Sequence, residues 1–271
     1  MLETLFRLHN LLPSFRGKWR LTAYFQKRLR HFRRSMKPGF EMELDCNEWI
    51  QLQLAMDGEV EEDLVSVLGS LLKYGGVFID VGAHVGFISL VARRLVGPQG
   101  TVVALEPQPY NCERLLRNWE INRFNNLHLL VAAAGDRDGF VRLPQQANTD
   151  KARLSLAIGM ADALNLDFIV PIRQLDSLSE VSNLKCIDVI KIDVEGFELQ
   201  VLRGANNILE RTKHVIFETL WDTEENLQSS HKVCMYLQER GFKVACFDGE
   251  SWTFAHSRNE PNLVASKDSK P

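Results

Sequence analysis

The chain has 271 residues, 45% of them apolar, and a formal net charge of −3 at pH 7. That supports a full core in one generous domain and excludes a disordered or fibrous protein. Five cysteines, Cys46, Cys112, Cys186, Cys234 and Cys246, are widely spaced and include no C-x-x-C pair, so they read as reduced thiols in a cytoplasmic protein, neither a disulfide framework nor a zinc site.

The first 38 residues stand apart. Up to residue 40 there are ten basic side chains (Arg7, Arg16, Lys18, Arg20, Lys27, Arg28, Arg30, Arg33, Arg34 and Lys37) against Glu3 alone, which leaves the remainder clearly acidic. Leu5, Leu8 and Leu12, then Trp19, Ala23, Phe25, Leu29 and Phe32, have spacings that suit amphipathic helices broken near Pro13 and Gly17. Such an arm can lie on an anionic membrane surface at the cytoplasmic face, touch nucleic acid, for which no reading motif speaks, or fold over the acidic core or a homodimer partner. No apolar run approaches the roughly 20 residues of a membrane span, and the N-terminus lacks a signal-peptide pattern.

From Phe40 the texture changes. Phe40 to Asp45 and Trp49 to Leu54 alternate as a small β element, a helix is predicted over Glu61 to Leu72, and Gly75-Gly76 closes it. Short apolar strands then alternate with helical patterns: strand Val77 to Val81, helix Phe87 to Leu95, strand Thr101 to Leu105, helix Tyr110 to Asn122, strand Leu127 to Ala133. After an irregular section from Gly139 to Leu178 come strand Val189 to Ile192, helix Leu199 to Leu209, strand His214 to Phe217, helix Lys232 to Arg240 and strand Lys243 to Phe247. This rhythm predicts an α/β fold, a mostly parallel sheet with helices on both faces. The domain is expected over 39–265, and a frayed polar tail over 266–271.

Open parallel sheets bind ligands beyond the carboxyl ends of their strands. Asp80 lies in the last residues of the first strand, Glu106 ends the second, Asp136 follows the third, Asp193 ends the fourth and Glu218 ends the fifth. Acids are depleted from strands, so five on one crest suit a cationic ligand with ribose hydroxyls, such as S-adenosylmethionine (SAM), and would repel a pyrophosphate. The turn Asp80-Val-Gly82-Ala-His84-Val-Gly86 lets the backbone approach a ligand. Its G-x-x-x-G spacing counts against a dinucleotide site and an NAD-type oxidoreductase. Glu106 is placed to accept hydrogen bonds from both ribose hydroxyls. An inactive binding module on the same scaffold is the remaining alternative.

At these residues the sequence resembles the FkbM-type family of SAM-dependent methyltransferases, over roughly Phe40 to Trp221. The matching stretches include Gly75 to Gly86, Ala104 to Asn111, Arg173 to Ser177, Ile190 to Gly196, Glu198, Leu202 to Ala205 and Ile216 to Glu218. The run Lys191-Ile-Asp-Val-Glu-Gly196 is the most specific. The resemblance implies a Rossmann-like class I methyltransferase fold with a seven-stranded sheet, and methylation of a hydroxyl on a sugar, glycolipid or other small molecule. It adds Ala83, Pro107 and Asn111 to the cofactor residues Asp80, Gly82, His84, Gly86, Glu106 and Asp136. The family typically has Asn where this chain has His84.

Methyl transfer from a sulfonium needs an in-line approach of the acceptor and a base if the acceptor is a hydroxyl. Asp193 is the first candidate for that base, with Glu195 and Glu218 beside it; crowding there is expected to raise at least one carboxyl pKa. Lys191, on a strand buried on both faces, needs a crest acid as partner. The scattered histidines carry no metal spacing, and no metal is called for.

Overall fold

The computed structural model describes residues 31–144, 167–219, 223–247, 252–253 and 262–267, with single positions 4, 8, 20, 22 and 24, which are helical. Most of the basic arm, the Gln145 to Lys151 loop and residues 268–271 lie outside the described residues.

The N-terminal extension begins with strand β1 (Phe32–Ser35), paired antiparallel with β2 (Glu41–Leu44). The helical reading of the arm therefore fails at Phe32. Its ring is fully buried among Met42, Leu44, Leu52 and Leu54, so the hairpin belongs to the core and the domain begins earlier than residue 39. Helix α1 (Trp49–Asp57) replaces the predicted strand over Trp49 to Leu54. The Glu48 carboxylate accepts from the Ile50 and Gln51 backbone N–H groups, and Gly58 closes the helix at φ 78°. These two end signals outweigh the alternation of Ile50, Leu52 and Leu54. Helix α2 (Glu62–Leu71) follows.

The main sheet contains β3 (Val77–Val81), β4 (Thr101–Leu105), β5 (Leu127–Leu130), β9 (Ile187–Ile192), β10 (Thr212–Glu218), β11 (Lys243–Phe247), β12 (Trp252–Thr253) and β13 (Asn262–Ser266). Their spatial order is β12-β11-β13-β10-β9-β3-β4-β5. Neighbours from β10 to β5 are parallel, and β13 lies antiparallel between β10 and β11. Apart from the two-residue β12, this is the mostly parallel seven-stranded sheet that the family resemblance implies. The expected tail starts too early, because Ser266 ends β13 and Lys267 Nζ donates to the Glu210 carbonyl.

Helices α3 (Phe87–Val96) and α4 (Pro109–Ile121) connect the first three strands. The predicted helix Leu199 to Leu209 is two short ones, α6 (Glu198–Arg203) and α7 (Asn206–Glu210), after the one-turn α5 (Ser179–Ser182). Gly204 packs so closely on the Gly135 carbonyl that a Cβ would overlap it, which explains the break. Helix α8 (Glu224–Gln238) precedes β11. The predicted strand Leu127 to Ala133 also divides: β6 (Ala133–Ala134) leaves the main sheet and joins β7 (Gly139–Pro144) and β8 (Asp167–Arg173) in a three-stranded sheet of order β6-β8-β7.

Strand alternation sorts the core into two layers. Phe78 and Val189 face the layer holding α1 to α3 and the N-terminal hairpin, while Ile79, Val81, Ile190 and Ile192 face the layer holding α6 to α8. The outer edge of β2 is covered by amides of α4. Asn122 accepts from Glu41 N and donates to Glu41 O, and Asn118 accepts from Glu43 N. Asn118 also donates to the Val85 carbonyl, which ties the hairpin to the glycine turn and leaves these edge groups paired.

Candidate active site

The turn after β3 is fixed from two sides. Gly82 and Ala83 donate to the Leu105 carbonyl at 2.9 and 3.1 Å. Gly82, at φ 82°, rests against the Asp193 carbonyl, where a Cβ would overlap it. Gly86, at φ 89°, packs on Leu115 and opens α3. His84 adopts φ 50°, a left-handed conformation that Asn and His tolerate better than most residues; this is how His stands where the family typically has Asn.

Glu106 is buried just past β4. Its Oε2 accepts from His84 N at 2.9 Å, and its Oε1 from Gln108 N at 2.9 Å and Asn111 Nδ2 at 3.2 Å. Burial pushes its pKa up and these donors oppose the shift. A carboxylate offers about four lone-pair positions, so one is left until a donor moves away, and the side-chain amide of Asn111 is the donor free to do so. Pro107 is buried in the turn between β4 and α4.

Asp80 and Lys191 are register partners on adjacent strands. Asp80 is fully buried; Ser89 Oγ donates to its Oδ2 at 2.6 Å, and Lys191 Nζ stands 3.7 Å from Oδ1, which makes no hydrogen bond. Lys191 Nζ donates to Asp193 Oδ2 at 2.9 Å. Burial opposes the lysine's charge, yet Asp193, Asp80 and Glu61 together raise its pKa. Burial raises the pKa of Asp80, with Lys191 opposing.

On the other side of Asp193 the acids crowd. Glu218, at the end of β10, has its pKa raised to about 9 by burial first, then by Asp193, Glu195 and Glu198, and its Oε2 has no hydrogen-bond partner. A pKa raised that far favours the neutral carboxyl form of Glu218 at pH 7. Glu198 Oε1 accepts from Val194 N and Gly196 N, holding the β9–α6 turn, in which Glu195 adopts φ 55°. Among the described residues, no group of three or more His, Cys, Asp or Glu side chains is arranged to hold a metal ion.

With this geometry in place, the methyltransferase FkbM domain family matches residues 80–244. The chain belongs to that family. Proteins similar to it include Methyltransferase 1 of Beauveria bassiana, 27% identical over 62% of this chain and 72% of that protein. The hexuronic acid methyltransferase AglP of Haloferax volcanii is 28% identical over 58% of this chain and 62% of that protein. The 2-O-methyltransferase NoeI of Sinorhizobium fredii is 26% identical over 59% of this chain and 68% of that protein. The chain is a SAM-dependent methyltransferase and its cofactor is SAM. No described helix is long and apolar enough to cross a membrane.

The FkbM core brings Asp80, Gly82, Ala83, His84, Gly86, Glu106, Pro107 and Asn111 to the ends of β3 and β4, and Lys191, Asp193, Glu195 and Glu218 to the ends of β9 and β10. Asp136 departs from the expected pattern. The strand before it, β6, belongs to the small sheet, so Asp136 does not end a strand of the main sheet, and its backbone carbonyl accepts from Gln174 Nε2. Sequence reasoning missed Ser89, which anchors Asp80, and Glu61, whose charge acts on Lys191, Asp193 and Asp80. Neither carries a spacing that would reveal it: Ser89 is one polar residue in an apolar helix, and Glu61 sits in an acidic run that reads as an ordinary helix start.

Proposed function

We propose that this methyltransferase transfers the methyl group of SAM to a hydroxyl oxygen of a sugar-type small molecule, with Asp193 taking the hydroxyl proton. The observation that carries the reading is the Lys191–Asp193–Glu218 row. Asp193 is held by a buried ammonium at 2.9 Å, and Asp193 is among the acids that raise the Glu218 pKa to about 9.

The residues present fit the cofactor. The acidic ends of β3 and β4 suit its cationic groups. Gly82 and Gly86 leave room for close backbone approach, and Glu106 keeps an acceptor position facing ribose hydroxyls. When bound, SAM supplies an electrophilic methyl carbon on a sulfonium, which departs as a neutral thioether with the former C–S bonding pair.

The chain's own residues then orient and move one proton. Lys191 fixes Asp193 through its 2.9 Å hydrogen bond. Glu218, as a neutral donor, turns the second Asp193 oxygen toward the acceptor without adding charge. As the acceptor oxygen bonds to the methyl carbon, its proton passes to Asp193, so the Asp193–Glu218 pair holds one proton before the reaction and two after it. Such positioned base catalysis contributes about 10²–10⁴-fold.

Sugar hydroxyls are favoured as acceptors by two relatives whose names specify a hexuronic acid and a 2-O position. Transfer of a labelled methyl from SAM into a panel of uronic acids, neutral hexoses, glycolipids and polyketide-like alcohols tests this. Label is expected in a sugar hydroxyl, and label confined to non-sugar acceptors would overturn the sugar assignment.

A further inference from the structure

The hairpin of β1 and β2 lies upstream of the residues that match the family, yet it is fastened along α4, the helix that carries Asn111. The Glu41 backbone meets Asn122 and the Glu43 backbone meets Asn118. Two residues of strand advance about 6.8 Å and four of helix about 6.0 Å, so β2 runs antiparallel to one row of α4 with nearly matched steps. Arg114 and Tyr110 continue that row at the same four-residue spacing. Arg114 reaches the Glu43 carboxylate at 3.3 Å, and the Tyr110 hydroxyl donates to Asp45, just beyond β2, at 2.8 Å.

Of this row, Asn118 is the side chain that reaches the glycine turn, and it is fully buried. Its Oδ1 accepts from Glu43 N at 2.8 Å. A backbone N–H can only donate, so this contact decides which way the amide faces and presents Nδ2 to the Val85 carbonyl, 3.3 Å away. Val85 stands between His84 at φ 50° and Gly86 at φ 89°, and the His84 N–H is a donor to Glu106 at 2.9 Å. A left-handed residue other than glycine persists where its surroundings over-determine it. Glu106 holds this turn at His84, and Asn118 holds it one residue further on.

We propose that Asn118 is a positioning residue for SAM binding and that the N-terminal hairpin sets its orientation. This rests on the cofactor placement given under Proposed function. Through Glu43 the hairpin aims the amide, and through the Val85 carbonyl the amide keeps the His84 to Gly86 backbone in the form that receives the cofactor. The hairpin thereby contributes to the cofactor site from outside the family-matched residues.

Calorimetric titration of SAM into the full chain tests the assignment. N118A removes both bonds of the amide; N118D keeps the acceptor for Glu43 N and loses the donor to Val85. Each is expected to raise the SAM dissociation constant about three- to tenfold. N122A removes the neighbouring tether of the same hairpin, to the Glu41 backbone. It should lower the melting temperature and leave SAM affinity within about twofold. In isotope-labelled wild type, the Asn118 side-chain amide resonance should move on saturation with SAM, a signature that a packing role alone does not produce. Unchanged SAM affinity in folded N118A or N118D would overturn the proposal. Equal weakening by N122A would also overturn it, by making the hairpin a general prop for the fold, and so would an Asn118 resonance unmoved by SAM. Intact SAM affinity in E106A would overturn the cofactor placement, and this assignment with it; weakening by E106A without weakening by the Asn118 variants would overturn the Asn118 assignment alone.

Discussion

At the end of β4, Glu106 is buried under three N–H donors that stabilise its ionised form; at the end of β10, Glu218 is half-buried with one oxygen unpartnered and three acids around it. Burial raises both pKa values, but only around Glu218 do the neighbours add to the shift, taking it to about 9. Two strand ends thus hold the same side chain in opposite surroundings, a pattern that separates a group built to accept hydrogen bonds from one built to stay protonated. Between them, the Lys191 ammonium stands 3.7 Å from Asp80 and 2.9 Å from Asp193 and bridges the two acids.

The largest expected effect comes from removing the divider. K191M leaves two carboxylates near one another without their cation, and a broken buried pair costs about 3–5 kcal/mol. Denaturant titration should show that loss, and D80N in the same chain should restore part of it. Next is E106A, which removes the acceptor and orphans the His84 and Gln108 amides. Charged hydrogen bonds of about 1.5–3 kcal/mol predict a roughly 10- to 100-fold weaker SAM dissociation constant by calorimetry. Unchanged affinity would remove Glu106 from the site.

Glu218 sharpens the comparison through pH. Its folded pKa lies above its unfolded value, so its contribution to stability is fully present below about 4.5 and is lost as pH rises toward about 9. Wild type should therefore lose stability relative to E218Q over that window, by at most ~1.4 kcal/mol per pH unit. Parallel pH–stability curves for the two proteins would show that Glu218 ionises normally. The smallest effect is at Asn111. N111A frees one lone pair of Glu106 while removing a polar contact, so SAM affinity should stay within a few-fold of wild type, an energy below about 1 kcal/mol.

The Glu106 end of this comparison was legible in the sequence and much of the other end was not. Strands β3, β4 and β11 have the bounds that their apolar runs and flanking turns predict, and the acids at the ends of β3 and β4 could be read from chain position. Ser89 could not, because one polar residue in an apolar helix does not signal the hydrogen bond it donates to Asp80. Asp136 misled in the opposite direction: Leu127 to Ala133 reads as one strand, but β6 pairs with β8 and carries Asp136 out of the main sheet's row. Trp49 to Leu54 alternates like a strand, and the Glu48 and Gly58 caps make it a helix. Strand β13 was not recognised at all, since five residues beside an unreadable stretch offer neither period nor partner; its place is set by pairing with both β10 and β11.

The central claim, that the crest separates cofactor binding from proton transfer, is tested most directly by D193N with SAM and an accepted sugar. SAM affinity by calorimetry should stay within about twofold of wild type, while kcat falls by roughly 10²–10⁴-fold. A D193N enzyme that keeps its kcat, or that loses SAM affinity in the same proportion as turnover, would contradict the account.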